Sequence, residues 1–223
     1  MQQRQKIGTL VAEFFGTAIL AMAILGAARY FNFTAPWYVG LAAGVTLAAL
    51  VGVIGKVSGA HVNPAITLGL WTLRQIPGTT ALAYMAVQLL GGLTAFAFVE
   101  YVSNTEIVYS GTSTIDYRIF IAEMVGTAVF AMGVASVVLQ KIEGMQAAFT
   151  IGASLFIGVL IAAIVAPAYL NPAVALANNA FDRTTVIAPL IGSVLGMNIY
   201  SFFLAPVEGL KLENHPTKKS KKK

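Results

Sequence analysis

Six stretches of this chain, near 7–28, 37–56, 80–102, 118–139, 147–167 and 186–206, are each as long as a membrane-crossing helix, and little sequence lies between them. At 1.5 Å per residue, about 20 mostly apolar residues cover the roughly 30 Å of bilayer hydrocarbon. Within hydrocarbon every backbone N–H and C=O needs a partner from the protein itself, which a helix supplies along its own length. The chain is 57% apolar and only 10% charged, with a mean hydropathy of +0.78, far from soluble composition. The expected fold class is an all-α, multi-pass membrane protein. The first apolar run is too long for a signal peptide, contains Glu13 and lacks a clear small-residue cleavage site, so it is read as helix one.

Basic residues near short loops stay on the cytoplasmic side. With both termini inside, eleven of the fourteen Lys and Arg fall inside, and only Arg29, Arg118 and Arg183 fall outside. That bias accounts for the +5 net charge without a nucleic-acid partner. The KKSKKK end, 218–223, reads as a topology anchor next to the lipid bilayer, with anionic headgroups a secondary partner. With no cysteine, the chain has neither a disulfide framework nor a thiolate metal site.

The two halves repeat. LVAEFFGTAIL at 10–20 matches IAEMVGTAVF at 121–130 with an offset of 110, setting Glu13 over Glu123. HVNPAIT matches YLNPAVA with an offset of 108, and QLLGG at 88–92 matches PLIGS at 189–193 with an offset of 101, so the second half has lost several residues after its Asn-Pro-Ala. Each half crosses an odd number of times, so the second copy lies upside down relative to the first. Inverted repeats in membranes place a pathway at the pseudo-twofold axis.

Asn is a favoured N-cap and Pro is tolerated at the first helical position. Asn63-Pro64-Ala65 and Asn171-Pro172-Ala173 therefore read as two helix starts. From Pro64 to about Leu73 is ten residues, about 15 Å, half the hydrocarbon. The second start predicts the same length, Pro172 to about Phe181. Each half-helix enters and returns, and the two starts meet near the midplane. The loops before them, 58–61 and 167–170, are non-helical backbone at membrane depth, tolerable only if buried or lining a wet path. Their carbonyls would line that path as acceptors, the Asn amides would offer donors at its centre, and the helix N-termini would add partial positive charge that opposes cations and protons.

On these residues the chain resembles the aquaporins, the major intrinsic protein family, over 7–207. SGAHVNPAITLGLW at 58–71 and the paired AE..GTA segments with a second NPA carry the resemblance. It implies six transmembrane helices and two re-entrant half-helices around one pore per subunit, a homotetramer, and Asn63 and Asn171 donating to the permeating molecule. It also implies a constriction of four side chains, which counting from the NPA runs places at Ala43, Val159, Ala168 and Val174. The family generally has Arg where this chain has Val174, so this is an atypical member. Four small or aliphatic residues predict a mouth wider and less polar than that of a strict water channel. Arg118 or Arg183 is available to replace the lost charge.

Glu13 and Glu123 recur at equivalent places, which favours a structural task performed twice, accepting hydrogen bonds from the re-entrant loops. His61 reads as a loop-packing or vestibule residue with no second ligand for a metal. Gly40 with Gly44, and Gly192 with Gly196, have the spacing that lets helices approach closely. The expected organisation is a cytoplasmic N-terminus at 1–6, a first repeat at 7–103, an extracytoplasmic linker at 104–117, an inverted second repeat at 118–207 and a basic tail at 208–223. The expected function is a passive channel for water and small uncharged solutes such as glycerol, urea or ammonia, in the cell membrane. No motif points to catalysis or a cofactor. The alternatives are a secondary transporter, which would need a carboxylate in the path, and an ion-leaky pore. The Asn32–Thr34 triplet is too short to indicate glycosylation.

Overall fold

The computed structural model describes residues 2–30, 35–165 and 167–206; the Asn32–Thr34 triplet and the basic tail lie outside them. Among the described residues eight α-helices follow in order: α1 Gln2–Tyr30, α2 Pro36–Ser58, α3 Pro64–Thr72, α4 Gly78–Ser103, α5 Tyr117–Leu139, α6 Gly144–Ala162, α7 Pro172–Ala177 and α8 Arg183–Ile199. A π-helical turn, Tyr200–Leu204, extends α8. All but α3 and α7 are long and apolar enough to cross a membrane, α8 together with that turn. The chain is therefore an integral, multi-pass membrane protein.

Local chemistry sets the boundaries. Pro36 opens α2, and Gly59 closes it with φ 93, a left-handed turn that glycine adopts without strain. Asp116 caps α5 by accepting from the Arg118 N–H at 2.8 Å. The guanidinium of Arg118 hydrogen-bonds the same carboxylate and holds it below the usual acidic range. Asp182 and Thr185 close a capping box at the start of α8. The fifth span, expected to reach 167, ends at Ala162, because the chain must leave the helix to form the loop that leads to Pro172.

The inverted repeat is visible in which helices touch. α1 packs on α2 and α4, and its counterpart α5 packs on α6 and α8. α3 lies against α8, and its counterpart α7 lies against α4. α2 meets α6 and α3 meets α7 across the pseudo-twofold axis itself. The crossings are close because glycines sit at them. A Cβ on Gly44 would lie 2.6 Å from the Gly152 carbonyl oxygen, and one on Gly152 would collide with the Gly44 carbonyl. Gly192 and Gly196 of α8 rest in the same way on the Met124 and Ala128 carbonyls of α5.

The half-helices are unequal. α3 has nine residues and α7 only six, so the expected ten-residue run to Phe181 is shortened. The stop is Asn178-Asn179: the Asn178 amide donates back to the Val174 carbonyl at 2.9 Å, and Asn179 turns to φ 51 and donates to the Ile107 carbonyl at 2.8 Å.

Candidate functional site

Each Asn of the two NPA runs uses both ends of its side chain. The Asn63 Oδ1 accepts from the Ala65 N–H at 2.8 Å, and the Asn171 Oδ1 from the Ala173 N–H at 2.9 Å, which caps α3 and α7. Across the axis, the Asn63 amide donates to the Leu170 carbonyl and the Asn171 amide to the Val62 carbonyl, both at 2.9 Å. The two half-helix starts therefore brace one another. Each amide carries a second N–H. Pro64, Ala65, Pro172 and Ala173 are buried, forming the first turns behind these amides.

The residue before each Asn is under backbone strain. Val62 has φ 42 and Leu170 φ 53, a region costly for side chains with a Cβ and worst for a β-branched one. Two buried carboxylates hold it there. Glu13 accepts from the backbone N–H of His61 at 3.0 Å and of Val62 at 2.7 Å, and Glu123 from Tyr169 at 2.7 Å and Leu170 at 2.8 Å. Glu13 also accepts from the Ser58 hydroxyl at 2.6 Å and the Gln88 amide at 2.8 Å. Among the described residues no side chain donates to Glu123 in the same way; the repeat offsets set Ala166 against Ser58 and Pro189 against Gln88, neither of which has a side-chain donor. His61 packs edge to face on Tyr84, and its Nδ1 lies 3.2 Å from the Thr67 hydroxyl.

Four spaces run in series past these loops. The first, about 480 Å³, opens on the face carrying Arg29 and is walled by Glu106, Ser110, Tyr169 and Asn178. It shares Pro167, Tyr169 and Asn178 with the second, about 260 Å³, which Ile24, Val39, Val159 and Ala168 also line. The third is only about 10 Å³, bounded by Leu20, Leu47, Phe130, Leu155 and Val174 together with Asn63 and Asn171. A void of that size holds about one water. The fourth, about 90 Å³, shares Leu47, His61 and Phe130 with the third and continues towards Val138.

Of the four residues expected at the constriction, Val159 and Ala168 line the second space and Val174 lies one level deeper, at the bottleneck. Ala43 lines none of the four: it is 1% exposed within the packed core, and Val39, one turn earlier on α2, occupies the wall instead. The reason is the α2–α6 crossing, which brings Gly40 and Gly44 hard against α6 and turns their neighbour into packing. Sequence reading missed Phe130 and Tyr169. The repeat offset pairs Tyr169 with His61, which the sequence does single out, so that twin was within reach; Phe130 pairs with Leu20, which nothing in the sequence marks as a wall residue.

Two opposed half-helices meeting at a one-water bottleneck inside a six-span inverted repeat define a membrane channel architecture. A family model described as Major intrinsic protein matches residues 1–200, and the chain belongs to that family of channels. Aquaporin AqpM of Methanothermobacter thermautotrophicus is 29% identical, the alignment covering 88% of this chain and 94% of that protein. Lens fiber major intrinsic protein of Canis lupus familiaris is 30% identical, over 88% of this chain and 81% of its own length. Among solved structures, the aquaglyceroporin from Plasmodium falciparum shares the fold, with a TM-score of 0.73 at 22% identity, covering 90% of this chain and 98% of that one.

Proposed function

We propose that this chain is a passive channel for water and small uncharged solutes, with the path running past Asn63 and Asn171. The observation that carries this reading is the series of four spaces linked by shared wall residues, with its bottleneck at the two asparagines. Donors from the Asn amides and apolar walls elsewhere suit a neutral polar solute in single file. Small side chains around a space of about 260 Å³ support the wide mouth expected from the sequence, but the path narrows towards the centre. Phe130, Leu20 and Val174 close the bottleneck to about 10 Å³, so water and ammonia fit the path, and glycerol or urea would need these side chains to move aside. The names of the relatives, aquaporins and an aquaglyceroporin, agree with that range. Glu13 and Glu123 line none of the four spaces and are engaged by loop donors, which favours the channel over a proton-coupled transporter.

The reading includes the finer assignments made from the sequence: a homotetramer, both termini cytoplasmic, residence in the cell membrane, repeats at 7–103 and 118–207 joined by an external linker at 104–117, and no catalytic chemistry. The constriction is assigned to Val39, Val159, Ala168 and Tyr169 at the mouth and to Val174 and Phe130 at the centre.

Stopped-flow light scattering on proteoliposomes tests it. Wild type should shrink well faster than empty vesicles under a sucrose gradient, and Val174→Arg should cut that water flux at least about tenfold by filling the bottleneck. Wild-type water flux at the lipid background, in folded and inserted protein, would overturn the channel reading. Phe130→Ala works the other way. Opening the wall shared by the third and fourth spaces should raise glycerol uptake several-fold relative to water, measured in the same vesicles.

A further inference from the structure

A path for neutral solutes must also hold back cations. Among the described residues, the side chains around the 260 Å³ space are all uncharged. At the centre, α7 has only six residues, so few aligned peptides add to the positive field there. Among the described residues that line the four spaces, the charged ones are Arg29 and Glu106, both in the outermost space. Neither basic residue expected to replace the missing charge is placed to do so. Arg118 is 81% exposed and held on its own capping residue, and Arg183 is exposed and lines none of the four.

Arg29 is placed differently. Ile24 and Ala28 of α1 line the inner mouth, and Arg29 follows Ala28 on the last turn of the same helix, at the rim of the next space out. It is half-buried, whereas Glu106 across that space is exposed on the coil after α4. Solvent and salt screen an exposed charge more than a partly buried one, so the positive charge dominates the approach to the mouth. No hydrogen bond or ion pair ties Arg29 down among the described residues.

We infer that Arg29 is the charge-selective residue of this channel, excluding cations from the vestibule. The inference rests on the channel reading above. The test is potassium flux beside water flux in the same proteoliposomes, per inserted protein, for wild type, Arg29→Glu, Arg29→Gln, Arg29→Lys and Glu106→Gln. Potassium permeability should rise at least about tenfold in Arg29→Glu and less in Arg29→Gln, stay at the wild-type level in Arg29→Lys, and not rise in Glu106→Gln. The difference should shrink from 0.1 M to 1 M salt as the screening length falls from about 10 Å to about 3 Å. Should Arg29→Glu fail to insert, Arg29→Gln against Arg29→Lys carries the comparison. Potassium flux indifferent to the charge at position 29, with water flux intact, would overturn the inference alone. A rise in Glu106→Gln equal to that in Arg29→Gln would also overturn it, by showing that the barrier is not electrostatic. Absence of water flux in the wild type would overturn the channel reading and this inference with it.

Discussion

Glu13→Leu is expected to prevent recovery of folded protein, and Glu123→Leu to leave a fraction that folds but melts early. Removing either carboxylate strands two backbone N–H groups at membrane depth, and each unpaired buried donor costs about 1–3 kcal/mol. Against a typical total stability of about 5–15 kcal/mol, that loss is large. In the first half it is compounded, because the Ser58 hydroxyl and the Gln88 amide lose their acceptor together with His61 and Val62. It also releases Val62 from its left-handed conformation, and the Val62 carbonyl is what anchors Asn171. Monodisperse yield in mild detergent, followed by thermal melting, checks both variants. Glu13→Leu melting within a few degrees of wild type would mean that something other than this carboxylate shapes the loop.

A comparably large effect is expected at the α2–α6 crossing, where a methyl group has nowhere to go. Gly44→Ala should lower stability by about 2–3 kcal/mol, within the usual cost of overpacking a tight interior, or roughly 4–12 °C in Tm for a chain of this size. The obstacle is backbone: the added Cβ would lie 2.6 Å from the Gly152 carbonyl oxygen, so the helices themselves must separate. Gly52, on the same helix, faces outward, and a Cβ added there would meet nothing within 4 Å. Gly52→Ala should therefore be neutral or stabilising by up to about 1 kcal/mol, from helix propensity alone. Melting the two variants side by side separates close packing from propensity. Equal melting temperatures would show that the crossing has room to relax.

Much of this is legible in the sequence because it depends on pattern alone. Span length and apolar composition mark the six crossings, and the offsets of 110, 108 and 101 carry the inverted repeat. The drop to 101 after the second Asn-Pro-Ala registers the shortening that the structure shows as a six-residue α7 against a nine-residue α3. What stays hidden depends on which way a side chain points once helices are packed. Ala43 and Val39 are one helical turn apart, and only the crossing of α2 with α6 decides which of them reaches the wall. Phe130 reads as one more apolar residue of α5, yet it walls both the bottleneck and the space beyond it. Arg29 counts in the sequence only towards topology. Its role needs the vestibule before it can be seen.

The mutual brace between the NPA loops also constrains how the protein can be made. Asn63 finds its partner carbonyl at Leu170, 107 residues further along the chain. At synthesis rates of about 5–20 residues per second, the first half-helix start waits roughly 5–20 s before its partner leaves the ribosome. During that interval the amide of Asn63 and the carbonyl of Val62 need other partners or must stay out of the hydrocarbon, whether water, the insertion machinery or α3 remaining outside the bilayer provides for them. Until the second repeat arrives, the first carries an unfinished polar seam, which the second closes with the Leu170 carbonyl and the Asn171 amide.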